Sequence, residues 1–366
     1  MPRLLRLCVA LVLLVAASAP ALARPTAQVE ALTQGAIHPP VETEAGLWYR
    51  SAMGLVPYYG QSVRVALLDT GTDCGLPALG GSVGPGQTFS AATNTNPCYD
   101  GFGHGTHTAG LIHQACPSCH ITIYKIMDDN GRGVEADLAN AIRQAVLDHN
   151  QIISMSVGGY RWDDNAAQAI QWARANGVLL FASSGNDSAA DPYGGILPAS
   201  YAGVQRIAAC GPDGHAASFS DWAPNVWMCF PGVNVSSTFP RYHVALDDDL
   251  GISGISTTVV LSGTSMAAPL AAGEAGTLLA AGVDPQTALR VMETTATGPA
   301  HSDRWHVGYG DGHEARALEY VWMHHLGGRY TRPEMLGGQT PPVEPPAPPA
   351  QVWSWGAGQT NGRILS

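Results

Sequence analysis

The chain has 366 residues, enough for one large α/β domain with trimmed ends or for two modest domains. Its composition, 45% hydrophobic and 13% charged, excludes wholesale disorder. A formal net charge of -11 argues against nucleic acid as a partner, and Lys125 is the sole lysine.

The first predicted element is a targeting segment. Arg3 and Arg6 form a short positive region, and an apolar run follows from Leu7 to Ala17. Ala21-Leu22-Ala23 then supplies small residues at a cleavage site. The run is too short to span a bilayer comfortably. Residues 1–23 therefore read as a signal peptide, which implies a secreted or periplasmic protein in an oxidising compartment. Cys8 leaves with that segment, and Cys74, Cys98, Cys116, Cys119, Cys210 and Cys229 remain. An even count fits three disulfides, although six cysteines allow fifteen pairings. The simplest pairing joins neighbours in sequence. Cys116-Pro117-Ser118-Cys119 has the spacing of a redox or zinc half-site, but no second such pair completes a zinc site, so a clip at a turn is expected.

Residues 24–45 form a short propeptide or extension, too small for a domain of its own. Val63 to Asp69 is a nearly continuous apolar run, the pattern of a buried parallel strand. Residues 70–103 read as a Gly- and Asn-rich loop region. A helix is expected to begin within Gly103 to His113. Ile121 to Met127 is a β-branched strand, and Val134 to His149 carries Leu138, Ala141, Ile142, Ala145 and Val146 at helical spacing. Strands are expected at Ile152 to Val157, Gly177 to Phe181, Ile207 to Cys210 and Val226 to Phe230. Helices are expected at Ala166 to Ala175 and Ala267 to Leu279, and Asp284-Pro285 is a cap-and-first-turn pair for one more. This alternation predicts an α/β fold with a mainly parallel sheet covered on both faces. Residues 241–256 read as an enlarged loop. Pro341 to Pro349 is a stiff polyproline-type stretch that opens a C-terminal tail, assigned to 336–366.

Three segments carry chemistry. Val65-Ala66-Leu67-Leu68-Asp69-Thr70-Gly71 ends a buried strand on a carboxylate that needs a hydrogen-bond partner. In Gly103-His104-Gly105-Thr106-His107 the glycines allow close backbone approach to His104. His107 neighbours His104 on the helix surface, but the Glu of a zinc-binding His-Glu-x-x-His is absent, so no metal site is expected there. In Ser262-Gly263-Thr264-Ser265-Met266-Ala267-Ala268-Pro269 a serine opens a helix, with its hydroxyl near the positive end of the helix dipole.

In the order Asp, His, Ser, these segments resemble the three signatures of the subtilisin-like serine proteases, the subtilases. A fourth segment, Ser183-Ser184-Gly185-Asn186, resembles the family's oxyanion-hole segment, apart from serines where the family prefers Ala or Gly. The resemblance covers about residues 48–298 and implies a three-layer fold with a peptidase domain over 46–335. It implies a serine endopeptidase in which Ser265 is the nucleophile, His104 the general base and Asp69 the group that orients the imidazole. Asn186 would donate to the oxyanion beside the backbone N–H of Ser265.

The family's substrate groove maps by resemblance to Gly131, Arg132 and Gly133 on one side and Ser156, Val157 and Gly158 on the other, with Ser184 and Gly185 lining the pocket. Extended protein or peptide substrates would enter as an extra β-strand, and Arg132 is expected to favour acidic residues. No cofactor is expected for catalysis, and no stable membrane insertion or oligomer. Structural calcium is common in the family. Asp213 and Asp247-Asp248-Asp249 could contribute to such a site, but a solvated loop is the better reading of that run. The rival readings are a transpeptidase or peptide cyclase on the same scaffold, and a catalytically inactive binding protein.

Overall fold

The apolar run at Val63–Asp69 becomes a strand that is buried everywhere except Arg64. Its side chains alternate between two cores, as the pleat requires. Val63, Val65 and Leu67 join one cluster, and Ala66 and Leu68 join the other. A sheet buried on both faces needs cover on both, and each fully buried Val, Leu or Ile contributes roughly 1.5–3 kcal/mol. The computed structural model describes residues 28–31, 34–36, 46–90, 94–190, 195–298 and 304–327, with backbone alone for the first two stretches. The targeting segment and the Pro-rich tail lie outside the described residues.

In chain order the elements begin with β1 (Gln28–Ala31), β2 (Gln34–Ala36), α1 (Trp48–Ala52), β3 (Val63–Asp69) and β4 (Val83–Thr88). Next come α2 (His104–Ala115), β5 (Cys119–Lys125), β6 (Arg132–Val134), α3 (Glu135–Leu147), β7 (Ile152–Met155) and β8 (Val157–Gly158). They continue through α4 (Asp164–Ala175), β9 (Leu179–Ser183), β10 (Gln205–Cys210), β11 (Val226–Pro231), β12 (Val235–Thr238) and α5 (Ala245–Leu250). The last are β13 (Thr258–Ser262), α6 (Thr264–Ala280), α7 (Pro285–Thr295), α8 (Arg304–Val307) and α9 (Glu314–Met323).

The main sheet has the order β11-β10-β9-β7-β3-β5-β4, and each described pairing in it is parallel. Helices α3 and α4 cover one face through Leu138, Ile142, Ala166 and Ile170. Helices α2 and α6 cover the other through Leu111, Ile112, Met266 and Leu270. This is the three-layer α/β architecture expected from the alternation. Every residue of α6 is buried, which explains a helix made of small and apolar residues on all sides. Its fit against α2 depends on glycine. A Cβ at Gly273 would stand 2.4 Å from that of Ala115, and one at Gly276 2.5 Å from the Cys119 sulfur.

Two expectations need correction. The 70–103 stretch is not all loop, because it holds β4, an edge strand whose Pro85 breaks the apolar pattern. Proline is tolerated there because an edge strand lacks a partner on one side. The 241–256 stretch contains the helix α5, whose first turn is fixed by the Asp247 carboxylate accepting from the Val244 N–H at 3.0 Å. The acidic run is thus a helix start rather than a solvated loop. The cysteines pair as neighbours in sequence: Cys74–Cys98, Cys116–Cys119 and Cys210–Cys229. Among the described residues, no single helix is long and apolar enough to cross a membrane.

Candidate active site

Strand β3 ends at Asp69, at the carboxyl edge of the sheet where open α/β folds carry their sites. Asp69 is fully buried. Its Oδ1 accepts from the Thr70 N–H at 2.8 Å and lies 2.7 Å from His104 Nδ1, while Oδ2 accepts from the Thr108 hydroxyl at 3.1 Å. The carboxylate thus has the partners its burial demands. With Nδ1 committed to Asp69, the other ring nitrogen of His104, Nε2, has no protein hydrogen-bond partner. Gly105 makes this approach possible, since a Cβ there would stand 2.0 Å from the Gly71 carbonyl oxygen.

His104 is the first residue of α2, and a residue overlooked in the sequence holds that helix end. Asp100 is fully buried and accepts from the Gly103 N–H at 2.8 Å and from both the N–H and hydroxyl of Thr106 at 2.7 Å. It also accepts from the Thr70 hydroxyl at 2.7 Å, which itself accepts from the Gly105 N–H at 3.0 Å. Asp100 therefore caps α2 and ties it to the residue after Asp69. Burial pushes its carboxyl above the ordinary range, against the lowering effect of those four donors. The signal in the sequence is an acid a few residues before a helix start.

His107 plays a different part. It is buried behind His104, 3.2 Å from the Val259 carbonyl through Nε2. Burial and the neighbouring His104 push its pKa down to about 3, so it is neutral.

Ser265 sits in the first turn of α6 and is buried. Its hydroxyl donates to the Ser156 carbonyl at 3.4 Å, and the Ser156 hydroxyl donates to the Ser265 carbonyl at 2.9 Å. The first contact is long for an O–H···O bond, so the Ser265 hydroxyl is loosely held. Asn186 lies beside it. Its Oδ1 accepts from the N–H and hydroxyl of Thr264 at 2.9 and 3.0 Å, which fixes the amide and makes Nδ2 its donor end. Gly185 has a φ of 110°, and a Cβ there would stand 2.0 Å from Asp221 Oδ2, so both space and conformation require glycine. Ser184 is buried, with its hydroxyl 3.4 Å from that of Ser220, and its carbonyl accepts from the buried Arg206 at 3.1 Å.

The two expected groove walls are β6 with Gly131 before it, and β8 with Ser156 before it. A strand does run between them, and it comes from the chain itself. β1 pairs antiparallel with both walls: Gln28 faces Val134, Val29 faces Gly133, and Glu30 faces Arg132 and Gly158, while Ala31 faces Val157. β2 pairs antiparallel with β13, with Gln34 opposite Ser262 and Ala36 opposite Leu261. Only pairing across three strands could reveal this, since segment 24–45 carries no strand signal of its own.

Two of the residues suggested for calcium already accept backbone hydrogen bonds. Asp247 is committed to its helix cap, and Asp213 accepts from the His215 N–H at 3.1 Å. Among the described residues, Cys210, Cys229 and Asp311 bring three ligand atoms together, but both sulfurs are held in a disulfide.

The subtilase family model matches residues 60–312. The thermostable alkaline protease of Halalkalibacterium halodurans is 35% identical over 229 residues, 59% of this chain and 56% of that one. Thermitase of Thermoactinomyces vulgaris is 30% identical over 247 residues, 65% of this chain and 82% of that protein. Subtilisin E of Bacillus subtilis is 30% identical over 232 residues, covering 61% and 56%. The alignment thus spans a little over half the length of the first and third relatives. A lanthipeptide protease shares the fold with a TM-score of 0.66 at 24% identity, covering 77% of this chain and 96% of that one. The epidermin leader peptide processing serine protease from Staphylococcus aureus does so with a TM-score of 0.64 at 18% identity, covering 79% and 84%.

Proposed function

The chain belongs to the subtilase family, and from that premise we propose that it is a secreted serine endopeptidase acting through Asp69, His104 and Ser265. The observation that carries this reading is the buried 2.7 Å contact between Asp69 Oδ1 and His104 Nδ1. A carboxylate there fixes the imidazole tautomer and stabilises its protonated form. His104 Nε2 then takes the Ser265 proton as the hydroxyl attacks the scissile carbonyl, and later delivers a proton to the leaving amine. The loose 3.4 Å bond from Ser265 to Ser156 supports a hydroxyl that re-aims when substrate binds. The amide of Asn186, anchored through Thr264, donates to the developing oxyanion together with the backbone N–H of Ser265.

Substrates are extended segments of protein, paired between Gly131-Arg132-Gly133 and Ser156-Val157-Gly158. Arg132 is solvent-exposed and favours an acidic residue opposite it. Catalysis needs no cofactor, and the working form is a monomer.

The test is intact mass before and after treatment with a serine-directed fluorophosphonate. One adduct is expected on the wild type and none on Ser265→Ala. A folded, fully processed wild type that takes no adduct would leave the protein without an assembled nucleophile. For Arg132, the cleavage profile of a peptide library should lose its acidic preference in Arg132→Ala, and an unchanged profile would remove that role.

A further inference from the structure

Asn186 stands on an irregular segment that follows β9, not on a helix or strand. A loop holds a donor in place only as well as its own backbone is held. Here the backbone is tied on both sides of Asn186. The Ser184 N–H donates to the Ile207 carbonyl at 2.9 Å, and the Ser184 carbonyl accepts from Arg206 Nη2 at 3.1 Å. The Gly185 N–H donates to the Thr264 hydroxyl at 3.2 Å, and the Gly185 carbonyl accepts from the Asp221 N–H at 3.0 Å. Beyond Asn186, Asp221 Oδ1 accepts from the N–H groups of Asp187 and Ala189 at 2.9 and 2.8 Å. Between those two, the Ser188 N–H donates to the Phe219 carbonyl at 2.9 Å.

Asp221 is the residue common to both sides. Its N–H bonds the residue before Asn186, and its carboxylate bonds the residue after it. The side chain lies flush against the segment, since a Cβ on Gly185 would stand 2.0 Å from Oδ2. Both Asp221 and the Arg206 beneath Ser184 are buried. A carboxylate out of water is costly unless it is hydrogen-bonded, and the two loop N–H groups answer that cost. Gly185, with its φ of 110°, is the joint at which the segment would turn if that hold were lost.

We propose that Asp221 is a positioning residue for the oxyanion donor, clamping the peptide units on either side of Asn186 so that its amide stands at a fixed distance from the Ser265 N–H. The proposal rests on the protease reading above. Asp221 acts through Asn186, whereas Thr264 anchors the side chain of Asn186 directly. Oxyanion donors work only within about 2.7–3.1 Å of the developing charge. A displacement of about 1 Å at such a site costs ~100-fold in rate.

The test is a double-mutant cycle on the full chain. Turnover of an extended peptide is measured for wild type, Asp221→Ala, Asn186→Leu and the double variant, each at a temperature where its melting curve shows it folded. Asp221→Ala is expected to lower kcat ~10 to 100-fold with KM little changed. In the Asn186→Leu background the same substitution should cost less than ~3-fold further, because groups that act as one unit are not additive. Asp221→Asn keeps an oxygen that accepts both N–H groups and should stay within ~3-fold of wild type. Equal losses of kcat in the two backgrounds would overturn the proposal, as would an Asp221→Asn protein as impaired as Asp221→Ala. So would an Asp221→Ala protein that melts earlier yet keeps wild-type kcat, and in each of these cases the protease reading survives. A folded wild type that neither cleaves peptide nor takes a fluorophosphonate would overturn the protease reading and this proposal with it.

Discussion

Helix α6, which carries Ser265 at its start, buries a carboxyl with no countercharge, and this makes stability depend on pH. Glu274 is fully buried, and neither of its carboxyl oxygens has a side-chain partner. It is walled by Phe230 of β11, Gly312 and the Glu314 and His313 end of α9. Burial raises its pKa from 4.5 to about 8, against a small lowering from the His313 backbone. Glu314 is pushed up as well, by burial first and by Glu274 next.

For an acid raised in the folded state, the unfolded chain gives up its proton first as pH climbs. The native state therefore carries no penalty below about pH 4.5, loses stability steadily through the window up to about 8, and levels off above it. At 1.36 kcal/mol per pH unit, that displacement is worth about 5 kcal/mol as an upper bound. For a domain of this size it corresponds to roughly 10 °C or more in melting temperature. Glu274→Gln keeps the shape and cannot ionise. In a Ser265→Ala background, which prevents self-digestion, thermal unfolding at pH 5 and pH 9 should show a much flatter loss for Glu274→Gln than for its parent. Parallel profiles for the two proteins would refute the claim that this carboxyl is held protonated.

Three further outcomes follow from the geometry. Asp100→Ala strands several buried donors at the start of α2, each costing roughly 1–3 kcal/mol, and should lower the urea midpoint while slowing fluorophosphonate labelling through a misplaced His104. An unchanged labelling rate would reduce Asp100 to a purely structural role. Asn186→Leu should cut turnover ~100 to 1000-fold with KM little altered, the size known for the equivalent donor in subtilisin, a relative of this chain. An effect on KM alone would point to substrate binding rather than oxyanion stabilisation. Replacing Cys74 and Cys98 together by Ala opens a loop of sequence separation 24, and loop-closure entropy sets the expected loss at about 3.5 kcal/mol in equilibrium unfolding.

Local patterns carried much of this protein. The apolar runs at Val63–Asp69 and Ile152–Met155 sit between two hydrophobic layers and need no tertiary information to be read as buried strands. Asp69, His104 and Asn186 lie in short segments whose glycines (Gly71, Gly105 and Gly185) are themselves the steric condition for close approach, so residue type and spacing appear together in the sequence. The neighbour pairing of the cysteines was legible because short loops cost little entropy to close.

What tertiary structure alone decided is non-local. β4 is a strand only because β5 supplies hydrogen bonds to one of its edges, despite Pro85. Asp100 becomes the cap of α2 because the fold brings Thr70 and Thr106 to the same carboxylate. Glu274 reads as an ordinary helix residue until the two faces of α6 close around it. Segment 28–36 has no pattern of its own and becomes two strands only against walls formed by residues more than a hundred positions later. In each case the partner that satisfies or strains the group lies far along the chain, and a hydrogen bond or a desolvated charge is a property of the pair.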